Sequence, residues 1–441
     1  MDNIEKIIKR DAFKELKAHL KEKEITVLIG PRQAGKTTLV KQLISFLKQE
    51  EKTPEQRILY FNLDLHRDLA LFSDQAETIA LLKSRLENNE KLYVFIDEVQ
   101  RIKNAGLFLK GIYDLDLAIK FIITGSSTLE IKSKVQEPLT GRKRMFHIFP
   151  LSFSEFLSYK RPEIFRLLDR GGEMLSYDQN LFFDSVKEFA VFGGYPRVVI
   201  EDNFNRKAEI LEELYSSYIE KDIVNFLQIR NPIVLSRLVS LLSAQVGQIA
   251  NVSELASSIG VEMKTVKHYL DILEQTFVIS RITPFFTNRR KELIKSPKVF
   301  FIDNGLRNFS INKLKAWSGR TDIGAIFENM VAAELIKMFR TPASLHYWRT
   351  INGAEVDFVI RFSEQNIIPI EVKSKELKQP NIPAGLINFR KKYNPKISYL
   401  VNPMFEHILT DEYGKVSFLP VIALNKILNN AHIAYELADK R

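Results

Sequence analysis

One junction constrains this chain more than any other: an apolar strand, KEITVLIG, runs directly into GPRQAGKTT and then into the helical stretch TTLVKQLISFLKQ. A glycine-bounded loop between strand and helix lets backbone N–H groups turn inward. The helix start adds a partial positive charge at the same point. Four more short apolar runs follow within the first 150 residues: RILYFNLD, KLYVFIDE, AIKFIITG and RMFHIFP. Each ends in polar or turn residues, with helical stretches between them. Five strands alternating with helices predict a parallel sheet covered on both faces, with ligands at the strands' carboxyl edge.

The loop therefore predicts phosphate binding. Gly30, Pro31, Arg32, Gln33, Ala34 and Gly35 would wrap the phosphates, with Thr38 completing the motif. Lys36 would bring its charge to the β- and γ-phosphates, and the Thr37 hydroxyl would ligate Mg2+. In LYVFIDE, Asp97 at a strand tip is expected to hold the ion through water, and Glu98 to orient and deprotonate the attacking water. The competing account is a strand that ends in acids for solubility. A polar residue ending the next strand is expected at the γ-phosphate or the water, Ser126 first and Thr124 as the alternative. Either could instead only cap a helix. Arg142 and Arg144 in TGRKRMF suit fingers that complete a neighbour's site, or plain surface charge. The turn GGYPR could lie against adenine with Arg197 reaching phosphate, or only stop a helix. The reading is an ATP phosphohydrolase using ATP and Mg2+.

At 441 residues the length suggests roughly three domains. With 45% hydrophobic and 27% charged residues the chain can build real cores. No apolar run approaches the ~20 residues that span a bilayer, and MDNIEKIIKRDAFKELK holds no signal-peptide core. The expectation is a cytoplasmic protein without membrane partners. Cysteine is absent, which excludes disulfides, thiolate zinc sites and cysteine nucleophiles. The seven histidines are scattered, none paired at helical spacing for a metal. A net charge of +10 favours polyanionic partners or is an ordinary basic surface.

Four regions are expected: an α/β ATPase core at 1–150, a helical lid at 151–235, a winged helix-turn-helix at 236–307 and an α/β domain at 321–441. In the third, SELASSIG and VEMKTVKHYLDILEQ form two helices about Gly260, and FVISRITPFF with KVFFID forms the hairpin. Lys264, Thr265, Lys267 and His268 would face a DNA major groove. Arg289, Arg290, Lys291, Lys295 and Lys298, against a single Glu292, make a wing suited to phosphates. A rigid lever between domains is the other reading of the same helices.

In the fourth region, Glu371 and Lys373 sit two apart on a strand and project from one face, while Ile370 and Val372 face the core. Asp357 lies in another apolar strand and Glu328 on the preceding helix. Helix, three strands, helix, strand is an arrangement in which Asp and Glu gather around Mg2+ or Mn2+ and Lys steers water. Glu328, Asp357 and Glu371 are the expected ligands and Lys373 the catalytic group. A fold that keeps these residues for structural hydrogen bonds is the alternative.

The order GPRQAGKTT, FIDEVQ, ITGSS, GRKRMFHIFPLSFSEF, GGYPR, YIEKDI, PKVFFIDNG, FEN, GAEVDFVI and IEVKS resembles a prokaryotic family of AAA-type P-loop ATPases. The resemblance runs to about residue 405 and points to the STAND-like or archaeal-type branch. It implies a five-stranded parallel sheet with a helical lid, whose Gly194 and Pro196 touch the nucleotide base. It also implies a C-terminal domain of restriction-endonuclease-like fold. Lys221 stands where the family is expected to favour arginine, and lysine lacks arginine's bidentate fork. Together these features predict an ATPase whose nucleotide state is coupled to a DNA-directed, nuclease-like region, with a homo-oligomer compatible. The alternatives are a STAND-like signalling ATPase that acts through protein partners and cuts nothing, and a ring-forming remodelling chaperone.

Overall fold

The computed structural model describes residues 7–86, 90–125, 139–223, 231–286, 296–315, 317–339, 343–364 and 366–428, with backbone alone for 220–223. Among them no helix is long and apolar enough to cross a membrane. The fold is mixed α/β, and the chain divides into two compact units. Met1–Pro150 with Gln275–Phe277 forms the first, and Leu151–Glu274 with Val278–Arg441 the second.

The first unit is built on five strands: β1 (Ile25–Ile29), β2 (Ile58–Asn62), β3 (Leu92–Asp97), β4 (Ile119–Gly125) and β5 (Lys143–His147). They pair in parallel in the order β2-β3-β4-β1-β5. The central β1 and β4 are buried at every residue, as strands covered on both faces must be, whereas the edge strands β2 and β5 are only partly buried. Val27, Ile29, Val94, Ile96 and Ile123 pack one face against Leu109 and Ile112 of the helix Ala105–Tyr113. Leu28, Phe95 and Ile122 pack the other against Leu39, Leu43 and Leu47 of the helix Lys36–Gln49. Burying both faces fixes the height at which β1, β3 and β4 end, and these three adjacent strands carry the site.

The second unit opens with helices, including Phe153–Lys160 and Ser176–Phe192. The first of these starts on a reciprocal cap between Ser152 and Glu155. Val252–Ile259 ends on Gly260 at φ 71°, a left-handed turn that glycine enters at little cost, and Met263–Gln275 follows. Then come β6 (Ile279–Pro284) and β7 (Lys298–Phe301), an antiparallel pair with an added bridge from Lys298 to Ile249. Helix-turn-helix plus hairpin is the order of a winged helix.

The helix Ile323–Met338 leads to β8 (Ser344–Arg349), β9 (Glu355–Arg361) and β10 (Ile367–Val372), then the helix Ala384–Tyr393 and β11 (Ile397–Asn402). This is the helix, three strands, helix, strand order expected from the sequence. Two further strands, β12 (His407–Asp411) and β13 (Gly414–Pro420), extend the sheet beyond β11. The hairpin is not separate from this sheet. Thr283 and Pro284 of β6 pair in parallel with His346 and Tyr347 of β8, so one sheet runs β12-β13-β11-β10-β9-β8-β6-β7.

Candidate functional sites: a phosphate loop and an acidic pocket

Gly30 follows β1 so closely beneath Ile148 that a Cβ there would stand 1.9 Å from the Ile148 carbonyl oxygen. Gly35 adopts φ 97° to start the helix at Lys36, and Gln33 lies at φ 58°. The loop is braced from outside by Arg10, which donates to the carbonyls of Ala34 at 2.8 Å and Phe149 at 2.7 Å. Lys36 is buried inside it, donating to the Gly30 and Pro31 carbonyls at 2.9 Å each. Burial pushes its ammonium down to about 8, against the pull of Glu98 and Asp97.

Asp97 ends β3 beneath the helix start. Its Oδ2 accepts from Thr37 Oγ1 at 2.8 Å and Tyr60 OH at 3.3 Å, and its Oδ1 from Thr124 Oγ1. The Thr124 hydroxyl in turn accepts from the Glu98 N–H at 3.2 Å. Glu98 sits at φ 59°, a strained position for a non-glycine residue, and its carboxylate takes a hydrogen bond from the Gln100 amide. Of the two candidates at the end of β4, Thr124 is therefore in the network, while Ser126 lies outside the described residues. A hydroxyl and a carboxylate at hydrogen-bond distance are the oxygen donors that Mg2+ prefers. Sequence reading missed Arg10 and Tyr60, which carry no motif of their own.

Arg142 grips Asp114 with both faces of its fork, at 2.7 and 3.2 Å. Arg144 stands 3.5 Å from Glu15, and Arg197 2.9 Å from Glu213. Gly194 and Pro196 belong to the second unit. There the Gly194 N–H donates to Asp303 Oδ2 at 2.7 Å, and Pro196 begins a short helix. Asp303 is buried, also caps Leu306 at 3.2 Å, and leaves no room for a Cβ on Gly193, which lies at φ 72°. It is a positioning residue that its place in FIDNG did not reveal. Lys264, Lys267 and His268 are exposed on their helix, with Thr265 half-buried and Val266, Tyr269 and Leu270 turned inward.

The second candidate is a pocket of about 570 Å3 lined by Glu328, Glu355, Asp357 and Glu371, with Lys298, Arg349 and the loop at Gly247. Adjacent antiparallel strands bring Asp357 and Glu371 together, and Asp357 Oδ2 accepts from the Val372 N–H at 2.8 Å. Lys373 shares a face with Glu371 and donates to its Oε1 at 2.7 Å. Burial raises all three acids, Glu328 to about 8 and Glu371 to about 7, with the Asp357 carboxylate adding repulsion to both.

Glu371 Oε2 is buried in this pocket without a hydrogen-bond partner, and Glu328 Oε1 has only the Lys298 ammonium, 3.5 Å away. An unpartnered buried carboxylate oxygen such as Glu371 Oε2 is a donor a divalent ion would take. Yet among the described residues no three acidic or imidazole groups converge closely enough to hold an ion as they stand. Lys298 stands among them instead, which corrects its expected place on a phosphate-facing wing. Its side chain is 4% exposed, with Nζ 2.5 Å from Glu355 and 3.5 Å from Glu328. Pairing β6 with β8 draws the base of the hairpin over the acids. Arg289, Arg290, Lys291, Glu292 and Lys295 lie outside the described residues, as does the side chain of Lys221.

Residues 22–157 match the family model of an AAA domain. Residues 183–316 and 323–422 match models of two domains of unknown function, DUF8612 and DUF4143. Similar chains of uncharacterized description occur in Haemophilus influenzae, 27% identical over 84% of this chain and 87% of that one, and in Methanocaldococcus jannaschii, 27% identical over 90% of each. Another, in Mycobacterium tuberculosis, is 28% identical over 86% of this chain and 76% of that one. Among solved structures, the Aeropyrum pernix ORC2 protein in ADPNP–ADP complexes aligns with a TM-score of 0.40 and 12% identity, over 69% of this chain and 92% of that one. The Aeropyrum pernix ORC1 protein in complex with DNA aligns at 0.29 and 15%, over 70% and 92%. The first unit thus carries a nucleotide-binding domain of the AAA ATPase type.

Proposed function

We propose that this AAA-type domain hydrolyses ATP with Mg2+, and that the second unit acts on DNA through its helix-turn-helix and its acidic pocket. What supports hydrolysis, beyond nucleotide binding, is one observation: Thr124 ties the Asp97 carboxylate to the Glu98 backbone. The loop from Gly30 to Thr38 binds the phosphates, and Lys36 exchanges its two carbonyl contacts for their oxygens. Thr37 and Asp97 would hold Mg2+, which neutralises charge on the phosphates when bound. Gln100 holds the Glu98 carboxylate in one orientation, and Glu98 takes the proton as water attacks. Glu98→Gln is expected to keep ATP binding and lose turnover by ~10²–10⁴-fold. Turnover at the wild-type rate would remove Glu98 from this role.

In the second unit, Lys264, Thr265, Lys267 and His268 contact DNA; Glu328, Asp357 and Glu371 would hold a Mg2+ or Mn2+ ion, which would activate water for attack on a phosphodiester, and Lys373 would steer that water. The unpartnered Oε2 of Glu371 supports the ion. Neutralising Lys264 and Lys267 is expected to weaken DNA binding for all sequences and to lower the salt slope by about 2, near 0.9 per phosphate contact. An unchanged slope in a fluorescence titration would leave the helix pair as a scaffold. A second reading has its own support: Lys298 already balances two of the acids, which suits an ATPase that works through protein partners without cutting. Labelled DNA incubated with Mg2+ or Mn2+ separates the two readings.

A further inference from the structure

Lys298 is the residue of the second unit whose sequence neighbourhood explains it least. It closes the basic stretch TNRRKELIKSPK, a context that suits solvent, yet its side chain is buried among carboxylates. The backbone fixes it there. Lys298 pairs with Ile282 across the hairpin and bridges to Ile249, so the direction of its side chain follows from strand register. Its Nζ meets Glu355 at 2.5 Å and Glu328 at 3.5 Å. Glu371, only 7% exposed, turns an unpartnered Oε2 into the same pocket. Gly247 allows the approach, since a Cβ there would press to 3.3 Å on Glu328 Oε1. The ammonium thus already draws on Glu328, one of the carboxylates that a divalent ion in this pocket would use.

We infer that Lys298 is an internal counter-ion of the acidic pocket and competes with a divalent cation for its carboxylates. This rests on the reading of the pocket as a metal site and adds what governs it. Two cations that share Glu328 repel each other at short range, so the ion enters as the ammonium withdraws. Lys298 begins β7, and β6 of the same hairpin joins the pocket's own sheet at β8. Lys298 sets the affinity of the pocket for its ion, and Lys373 keeps its contact with Glu371.

Mn2+ titration of the full-length protein without nucleotide, followed by calorimetry and thermal melting, tests this. The wild type is compared with Lys298→Met and with Lys298→Met/Glu355→Gln. The double change removes one acid with the lysine, so the charge balance of the pocket is kept and folding does not depend on tolerating bare carboxylates. Circular dichroism checks the fold of each. Both variants are expected to bind Mn2+ about tenfold or more tighter than wild type, with a larger Mn2+-induced rise in Tm. Affinity equal to or weaker than wild type in whichever variant folds overturns the competition, and Mn2+ binding by wild type then leaves the metal reading standing alone. No binding by any of the three overturns both. In the wild type, acetylation of Lys298 by acetic anhydride, read by peptide mass spectrometry, is expected to rise with saturating Mn2+. Unchanged labelling of Mn2+-bound protein contradicts displacement.

Discussion

At the scale of single residues, the chain buries lysines in three unlike ways. Lys36 lies in a loop of carbonyls suited to exchange for phosphate, and Lys298 among acids that neutralise it. Lys120, in β4, has neither. It is fully buried, donates to the Glu24 carbonyl and stands 3.3 Å from His19 Nδ1. Burial, with Lys91 nearby, pushes it down to about 7 from 10.5. Below about pH 7 the folded and unfolded chains both carry this proton, and the fold bears the full cost of the buried charge. Between about pH 7 and 10.5 the folded amine is neutral while the unfolded one still binds its proton, so this group makes stability rise with pH. Lys120→Met is accordingly expected to stabilise the first unit at pH 6 by about 2–4 kcal/mol. The gain should shrink steadily towards pH 10 in urea denaturation. A gain independent of pH would show that the folded lysine holds its proton as firmly as the unfolded one.

At the scale of elements, β7 is an edge strand whose outer side would ordinarily expose unpaired backbone. Asn329 closes it. Its Oδ1 accepts from the Phe301 N–H at 2.7 Å, and its Nδ2 donates to the Phe301 carbonyl at 3.1 Å, as a neighbouring peptide unit would. The same amide meets Asn304, whose Nδ2 reaches Ala190 and Ile326 at 2.9 Å. The helix that carries Glu328 is thereby fastened to the strand that carries Lys298. Asn329→Leu keeps the volume roughly but orphans two buried backbone groups, and is expected to cost about 2–6 kcal/mol, at ~1–3 per group. Chemical denaturation measures it, and a loss under about 0.5 kcal/mol would mean the edge finds other partners. The motif FEN thus contains one residue facing the pocket and one that builds the strand opposite.

At the scale of the whole molecule, the apolar cores fall within the two units: Val27, Val94 and Leu39 in one, Leu238, Val266 and Phe389 in the other. Separate cores predict two calorimetric transitions. Mg-ATP, supplied to Glu98→Gln so that it is not consumed, should raise one of them by about 2.7 kcal/mol at a hundred times its Kd. Mn2+ should act on the other. A single transition that moves as one with either ligand would show that the units unfold together.

The five-stranded sheet and the loop on it were legible in the sequence because their signals are local. Apolar runs of strand length and a strand–loop–helix junction need no distant partner to be read. The shared face of Glu371 and Lys373 is legible for the same reason, since side chains alternate along a strand. The sequence leaves open what distant partners decide. Basic neighbours place Lys298 in solvent, whereas pairing of β6 with β8, some 60 residues apart, puts it among acids. Arg10 braces a loop 24 residues away, Asp303 holds a turn 109 residues before it, and β13 finds β11 across a hairpin. Local spacing determines which groups a segment can offer. Only the tertiary fold decides which of them lose water and what charge they then face, because burial is a property of the surfaces that close over a residue and not of its neighbours in the chain.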